Sequence, residues 1–283
     1  MRSYKDIKLA IIITIYNNSN YIDSIFNCLA NQTLLFDEVI VVDHGSKYNC
    51  EKGVLEASNK YKLDIKFKRI IKNFGGPAWP RNLGVQNSTS DYVCFNDPDD
   101  ISLINRCEEI KKEIYLTNCD VIIHSFTTYI EDLRNHNVIK LGRTFINKFD
   151  NNNVLERLYF DDSILTPVSS YVIRRESILK KSFREEEEII GGEDKVLIID
   201  LLLNKNTICH SNKVLLLYNY GIMAFLRVLH HILVVTPKML LCKLVHLALI
   251  GLLVTDLLVM LRTLGFLVVL NTLRIILQFQ QVH

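Results

Sequence analysis

Runs of apolar residues and mixed apolar–polar stretches take turns along the first 125 residues, and their periods differ. Lys8–Tyr16, "KLAIIITIY", is a continuous, largely β-branched run, which predicts a strand covered on both faces. In "NNSNYIDSIFNCLANQ" the residues Tyr21, Ile22, Ile25 and Leu29 recur at helical spacing, after Asn and Ser suited to capping. Asp37–Asp43 is a second buried strand, ended by "HGS". A polar helix around Glu51–Lys60 leads to the alternating strand "LDIKFKRI", nearer a sheet edge, and "GGPAWPRNLGVQNS" is a Gly/Pro turn entering a short helix. The strand "DYVCFN", the helix "ISLINRCEEIKKEIYLTN" and the strand Asp120–Ser125 follow. This alternation predicts an α/β layer with a mostly parallel sheet. From 126 to 221 the pattern is less regular: a helix in "NVLERLYF", a strand-like "SSYVIRRESIL", and a helix entered through Gly191–Gly192 and Glu193–Asp194. This part is expected to complete the sheet and supply a second wall.

The pattern changes again at about residue 222. Residues 222–283 are overwhelmingly aliphatic, and read as one helix they place Asp256, Thr263, Asn271, Arg274, Gln278 and Gln281 on one narrow stripe. Five of the chain's 33 Lys/Arg and one of its 31 Asp/Glu fall in this tail, leaving 28 basic and 30 acidic residues before it. The tail is thus basic and apolar, the body slightly acidic. Three readings stand: a helix in the membrane interface meeting anionic lipid, a spanning helix over about 244–261 that would bury Asp256, or a helix packed on the body or a second copy. Apolar bulk together with positive charge favours membrane association. The expected organisation is a catalytic domain over 1–221 and a membrane-associating tail over 222–283.

At 283 residues and near-balanced charge, the chain has ample material for a core and lacks the basic excess of a bulk nucleic-acid binder. Its seven cysteines are scattered without CxxC pairs or zinc spacing, which predicts reduced thiols in a cytosolic protein.

Candidate chemistry gathers at the predicted strand ends. Ligands of parallel sheets sit beyond the carboxyl ends of the strands, where Tyr16–Asn17, Asp43–His44 and Asp97–Asp100 all fall. "NDPDD" carries three carboxylates, Asp97, Asp99 and Asp100, around Pro98. A divalent cation of the Mg²⁺ or Mn²⁺ kind takes such hard oxygen ligands and shares its shell with phosphates, yet Asp and Pro are also ordinary turn residues. Taken alone the motif leaves both readings open.

Order decides between them. "TIYNN", "VVDHGS", "PRN", "NDPDD" and "GGED" follow one another with the spacing of the family 2 glycosyltransferases of GT-A fold, and "ANQTLLFDEVIVVD" resembles that family's helix–QT–strand connection. The resemblance covers about residues 7 to 220. It implies a nucleotide-sugar donor with Tyr16 facing the nucleobase and Thr14 beside it, and Arg81 near the diphosphate. Asp97 and Asp99 would hold a divalent cation, Mn²⁺ or Mg²⁺, with Asp99 the foremost ligand, and Asp100 would touch ribose or diphosphate. Asp194 would be the base that deprotonates the acceptor hydroxyl, giving inversion at the anomeric carbon. Asp43 would serve as a structural or ribose-side acid.

Two departures matter. The family's second Asp in "VVDDGS", which meets the nucleobase, is His44 here, and no "QxxRW" follows Asp194, so a single-sugar addition is expected rather than processive synthesis. The acceptor would be a glycan or lipid-linked species in cell-surface polysaccharide assembly, at the cytoplasmic face of the membrane. The alternative from another class is a non-catalytic sugar-nucleotide-binding or membrane scaffold of the same fold. A nucleotidyltransferase is disfavoured because "TIYNNSNY" lacks a Gly-rich phosphate loop. Trp79, His124, His210 and the pair His230–His231 are read as packing or satisfied structural residues.

Overall fold

The structure is a computed structural model describing residues 3–48, 50–131, 138–145, 167–185 and 192–219. The expected helix at "NVLERLYF", Gly191, the His230–His231 pair and the whole tail from 222 lie outside the described residues, so the domain division and the tail's membrane reading remain expectations.

The first strand, β1 (Leu9–Ile15), lies inside the sheet, as a run apolar but for Thr14 requires. On one side it pairs in parallel with β2 (Glu38–His44), which pairs in parallel with β3 (Ile65–Ile70). On the other it pairs in parallel with β4 (Tyr92–Asn96). The short β5 (Ile101–Ser102) follows, then β6 (Val121–Glu131), β7 (Val138–Phe145), β8 (Tyr171–Arg174) and β9 (Ile208–Asn219). Sheet order is β3, β2, β1, β4, β8, β6, β9, β5, with β7 on the distal part of β6. The chain reverses its direction of progress between β1 and β4, which opens a crevice beyond their carboxyl ends.

The helices are α1 (Ile22–Ala30), α2 (Glu51–Tyr61), α3 (Ala78–Asn87), α4 (Arg106–Thr117), α5 (Arg175–Lys180) and α6 (Glu193–Leu203). Alternation along the strands sorts them into two layers. Leu9, Ile11, Ile13 and Ile15 point with Val39, Val41 and Cys94 into one core against α1, α2 and α4. Ala10, Ile12, Ile40, Val42, Val93 and Phe95 point into the other, against α3, α5 and α6. Each fully buried aliphatic side chain contributes about 1.5–3 kcal/mol, so a one-residue slip of β1 would misplace its whole set. Gly84 lets α3 lie close on the sheet, because a Cβ there would collide with the Ile12 side chain.

Three local differences from the sequence reading have physical causes. The strand expected to end at Ser125 runs on to Glu131, because its polar residues are satisfied sideways. Ser125 donates to Ser211 O (2.9 Å), the Thr127 and Thr144 hydroxyls share a bond of 2.8 Å, and Thr128 donates to Arg143 O (3.2 Å). The stretch "SSYVIRRESIL" divides into β8 and α5 at Arg174–Arg175. Cys119 and Cys209, expected as free thiols, are brought side by side, with Cα atoms 6.1 Å apart. The parallel β6–β9 pairing, with Ile122 opposite Cys209, brings together residues 90 apart in sequence. Cys28, Cys50, Cys94 and Cys107 are free, as expected.

Candidate active site

The ends of β1, β2 and β4 and the segment between β3 and α3 close around a cleft of about 330 Å³. Thr14, Tyr16, His44, Arg81, Asp97 and Asp99 line it together, so six of the nine residues singled out from sequence meet in one place. Tyr16 is 44% exposed at its mouth.

The β1 and β2 ends are laced to each other. Asn17 adopts φ 57°, a left-handed conformation that Asn tolerates better than most residues. There its N–H donates to Ser46 Oγ (2.9 Å) and its side-chain carbonyl accepts from Lys47 N–H (2.9 Å). Gly45 has φ 72°, and a Cβ on it would stand 2.8 Å from the Asn73 nitrogen. Glycine is therefore required twice, by its backbone angle and by the close passage of the 71–73 loop. That loop delivers the Phe74 N–H to His44 Nε2 at 3.1 Å. Burial lowers the His44 pKa, with Asp43 opposing, so the imidazole is neutral at pH 7. Phe74 stacks in turn on Trp79, ring centroids 5.0 Å apart, which gives Trp79 the packing role read for it.

Asp43, fully buried, accepts from Ser46 N–H (3.1 Å) and pairs with Arg69 (3.5 Å). Its place is the base of the turn rather than the cleft wall.

The β4 end is organised by charge. Asp97 N–H donates to Ser169 Oγ (2.9 Å), Asp100 N–H donates to Asp97 O (3.0 Å), and Asn96 Nδ2 donates to both Asp97 O and Asp100 O. Arg81, 4% exposed, donates through Nη2 to Asp97 Oδ1 (3.0 Å) and through Nη1 to Glu193 Oε1 (2.7 Å). Burial opposes its charge, but Asp97 and Glu193 more than offset this and raise its pKa. Arg81 borders the cleft, and one N–H from each terminal nitrogen ties the β4 end to α6. Its neighbour Asn82 donates to Phe183 O (2.8 Å) and accepts from Phe183 N–H (3.0 Å), holding the segment before α6.

Asp99 is pushed up to about 7, by burial first and by the Asp97 charge second. Asp100 is raised well above the carboxylate range, by burial first and then by Asp99 and Asp97. Asp100 turns away from the main cleft: one oxygen accepts from Asn219 N–H (3.0 Å), and the other is buried without a partner. A divalent cation at Asp97 and Asp99 would relieve this concentration of negative charge. Among the described residues, no group of three or more His, Cys, Asp or Glu encloses an ion site by itself. The remainder of a shell would come from phosphate and water, the usual arrangement for Mg²⁺.

Asp194 stands in the first turn of α6, where the helix dipole favours acids. Its pKa is raised to about 6, by burial first and by the neighbouring Glu193 charge second. It is mostly ionised at pH 7, as a base must be.

Sequence reasoning overlooked Arg106, which is fully buried beneath the acidic loop. It donates to Asn96 Oδ1 and Ser102 Oγ (both 2.7 Å), and to the Phe95 and Ser169 carbonyls. A signal existed: a cation in the first turn of a helix is disfavoured by the dipole and implies a specific partner. His124, fully buried with Nδ1 2.9 Å from Ser125 O, has the structural role read for it.

The sequence profile described as glycosyl transferase family 2 matches residues 10–183. The chain is 28% identical over 201 residues to poly(ribitol-phosphate) beta-N-acetylglucosaminyltransferase TarP of Staphylococcus aureus, covering 70% of this chain and 58% of the relative. It is 26% identical over 220 residues to the cholesterol galactosyltransferase of Borreliella burgdorferi, covering 72% of this chain and 58% of the relative. In fold it is similar to S. aureus TarS 1-349 in complex with UDP-GlcNAc, with TM-score 0.61, 23% identity, and coverage of 75% of this chain and 58% of that one. It is also similar to a mannosyltransferase from Pyrobaculum calidifontis in complex with GDP-Man and Mn2+, with TM-score 0.54, 15% identity, and coverage of 74% and 56%. The chain thus spans a little over half the length of these proteins.

Proposed function

Because this chain belongs to glycosyl transferase family 2 and has the GT-A fold, we propose that it transfers a single sugar from a nucleoside-diphosphate sugar to a glycan or lipid-linked acceptor. The observation that carries the reading is the convergence of Tyr16, His44, Asp97 and Asp99 on one cleft, with Arg81 bridging Asp97 to the helix that bears Asp194.

In this reading Asp97 and Asp99 would hold a divalent cation, Mn²⁺ or Mg²⁺. The bound cation would supply charge neutralisation for the leaving nucleoside diphosphate. Asp194 takes the acceptor hydroxyl's proton as its oxygen attacks the anomeric carbon. The bond to the diphosphate oxygen breaks on the opposite face, hence inversion. Arg81 keeps Asp97 and α6 at a fixed separation, so the two chemical groups share one frame. The tail's aliphatic bulk and basic excess support placing the enzyme at the inner face of a membrane, where a lipid-linked acceptor in cell-surface polysaccharide assembly would be presented.

A test is donor hydrolysis and thermal shift across nucleoside diphosphates and their sugars, with and without Mn²⁺. Mn²⁺-dependent stabilisation together with slow release of free sugar supports the reading. Stabilisation without any hydrolysis would favour the scaffold alternative. The tail is tested by sedimenting the full chain with anionic vesicles against neutral ones.

A further inference from the structure

The β3 edge of the sheet ends in a rim that the chemistry of the cleft does not use. β2 and β3 run side by side as far as His44 and Ile70, and the segments that follow stay together. Arg69 donates to Ser46 O (3.3 Å), and a Cβ on Gly45 would stand 2.8 Å from the Asn73 nitrogen. Residues 45–48 and 71–74 therefore form one continuous surface, and its inner side, with His44 and Asn73, is a wall of the cleft.

The outer side is basic and apolar at once. Lys47, Lys68 and Lys72 are exposed there, and among the described residues none of them pairs with an acid. The other lysines of β3 and the neighbouring α2 are each paired: Lys66 with Glu38, Lys52 with Glu56 and Lys60 with Asp23. Arg69 is offset by Asp43, and Glu51 in the first turn of α2 leaves the rim net positive. Between these cations Ile71 is 94% and Tyr48 82% exposed. A single exposed apolar side chain is ordinary. Two on adjoining loops among unpaired lysines make the combination that suits a lipid headgroup boundary.

We propose that this rim docks on an anionic phospholipid surface, with the three lysines at the headgroups and Ile71 and Tyr48 at the headgroup–acyl boundary. Lysines alone would serve any polyanion. Ile71 and Tyr48 gain only from a partner with an apolar layer beneath its charge, where tyrosine is favoured. The inference extends the membrane placement proposed above, but it stands on residues of the body and not of the tail, so either can fail alone.

Trp79, the chain's one tryptophan, supplies a local reporter, since it stacks on Phe74 and Lys72 Nζ lies 5.3 Å from that ring's centroid. The test is to mix the full chain with vesicles of phosphatidylcholine, with or without phosphatidylglycerol, carrying bromine on the acyl chains. Sedimentation reads binding of the whole chain, and quenching of Trp79 reads contact at the rim. The wild type is expected to bind the anionic vesicles and to be quenched there. A lysine near an anionic surface is worth about a factor of five, so Lys68→Glu with Lys72→Glu should weaken binding at least tenfold and remove the quenching. Ile71→Asp should weaken binding at least threefold. Sedimentation without quenching, unaltered by these substitutions, overturns the inference and leaves the tail reading intact. No binding to anionic vesicles brings down both. Binding of soluble polyphosphate in place of vesicles overturns it in favour of an anionic polymer.

Discussion

The two ends of the cleft are stabilised by different means. At the β2 end the contacts run mainly through the backbone, Asn17 to Ser46, Lys47 to Asn17, and Phe74 to His44, over one buried ion pair, Asp43 with Arg69. At the β4 end they are charged, with Arg81 bridging two carboxylates and Arg106 buried beneath the loop. The buried Asp43 at the β2 end has Arg69 as its counter-charge, whereas the β4 end keeps Asp99 and Asp100 well above their ordinary pKa values. The difference suggests a division of labour. On the proposed reading, one end would recognise, and the other holds an electrostatic imbalance that a ligand with a cation would relieve.

The contrast can be broken by substitution, beginning where the effect is largest. At the charged end, Asp194→Asn should keep nucleoside-diphosphate binding and lose roughly 10²–10⁴-fold in turnover, as loss of a general base does. Steady-state kinetics beside a binding titration separates the two, and near-normal turnover would remove Asp194 from this role. With its pKa near 6, the wild-type rate should fall as pH drops through 6 and level off above 7, since only the ionised form accepts a proton.

Arg81→Met should destabilise by about 3–5 kcal/mol, because it strands Asp97 and Glu193 without their buried partner. Urea unfolding measures this, and a loss below about 1 kcal/mol would mean the bridge is no more than a surface ion pair. Gly84→Ala acts on the scaffold under the same arginine. Its methyl meets the Ile12 side chain, and displacing α3 should cost about 1–3 kcal/mol.

The β2 end should yield least. Gly45→Ala meets the left-handed penalty of about 1–2 kcal/mol, with some addition from the displaced 71–73 loop. Its sharper readout is the His44 imidazole, whose ring ¹⁵N shifts should change as the Phe74 contact loosens. Unaltered shifts would show that Gly45 does not govern that contact.

Much of this arrangement is legible along the chain because its causes are local. The apolar runs within β1, β2 and β4 announce strands buried on both faces, and the acids and aromatics at their ends must then share one edge. What escaped has non-local causes. The extension of β6 depends on Ser and Thr hydroxyls paid off by two neighbouring strands. The Cys119–Cys209 pairing depends on β6–β9 register across 90 residues. The bridge from Arg81 to Glu193 joins residues 112 apart, which no local pattern announces. The proton position on His44 cannot be read from residue types at all, since it is set by the backbone of Phe74.

The central claim is that the Asp97–Asp99 end of the cleft binds a nucleoside diphosphate together with a divalent cation. Calorimetric titration of the preferred diphosphate with and without Mn²⁺, in wild type and Asp99→Ala, tests it most directly. Binding that strengthens at least tenfold with Mn²⁺ in the wild type, and loses that dependence in Asp99→Ala, is the predicted result. Equally tight binding with and without Mn²⁺, or a variant that keeps the full cation dependence, would contradict it.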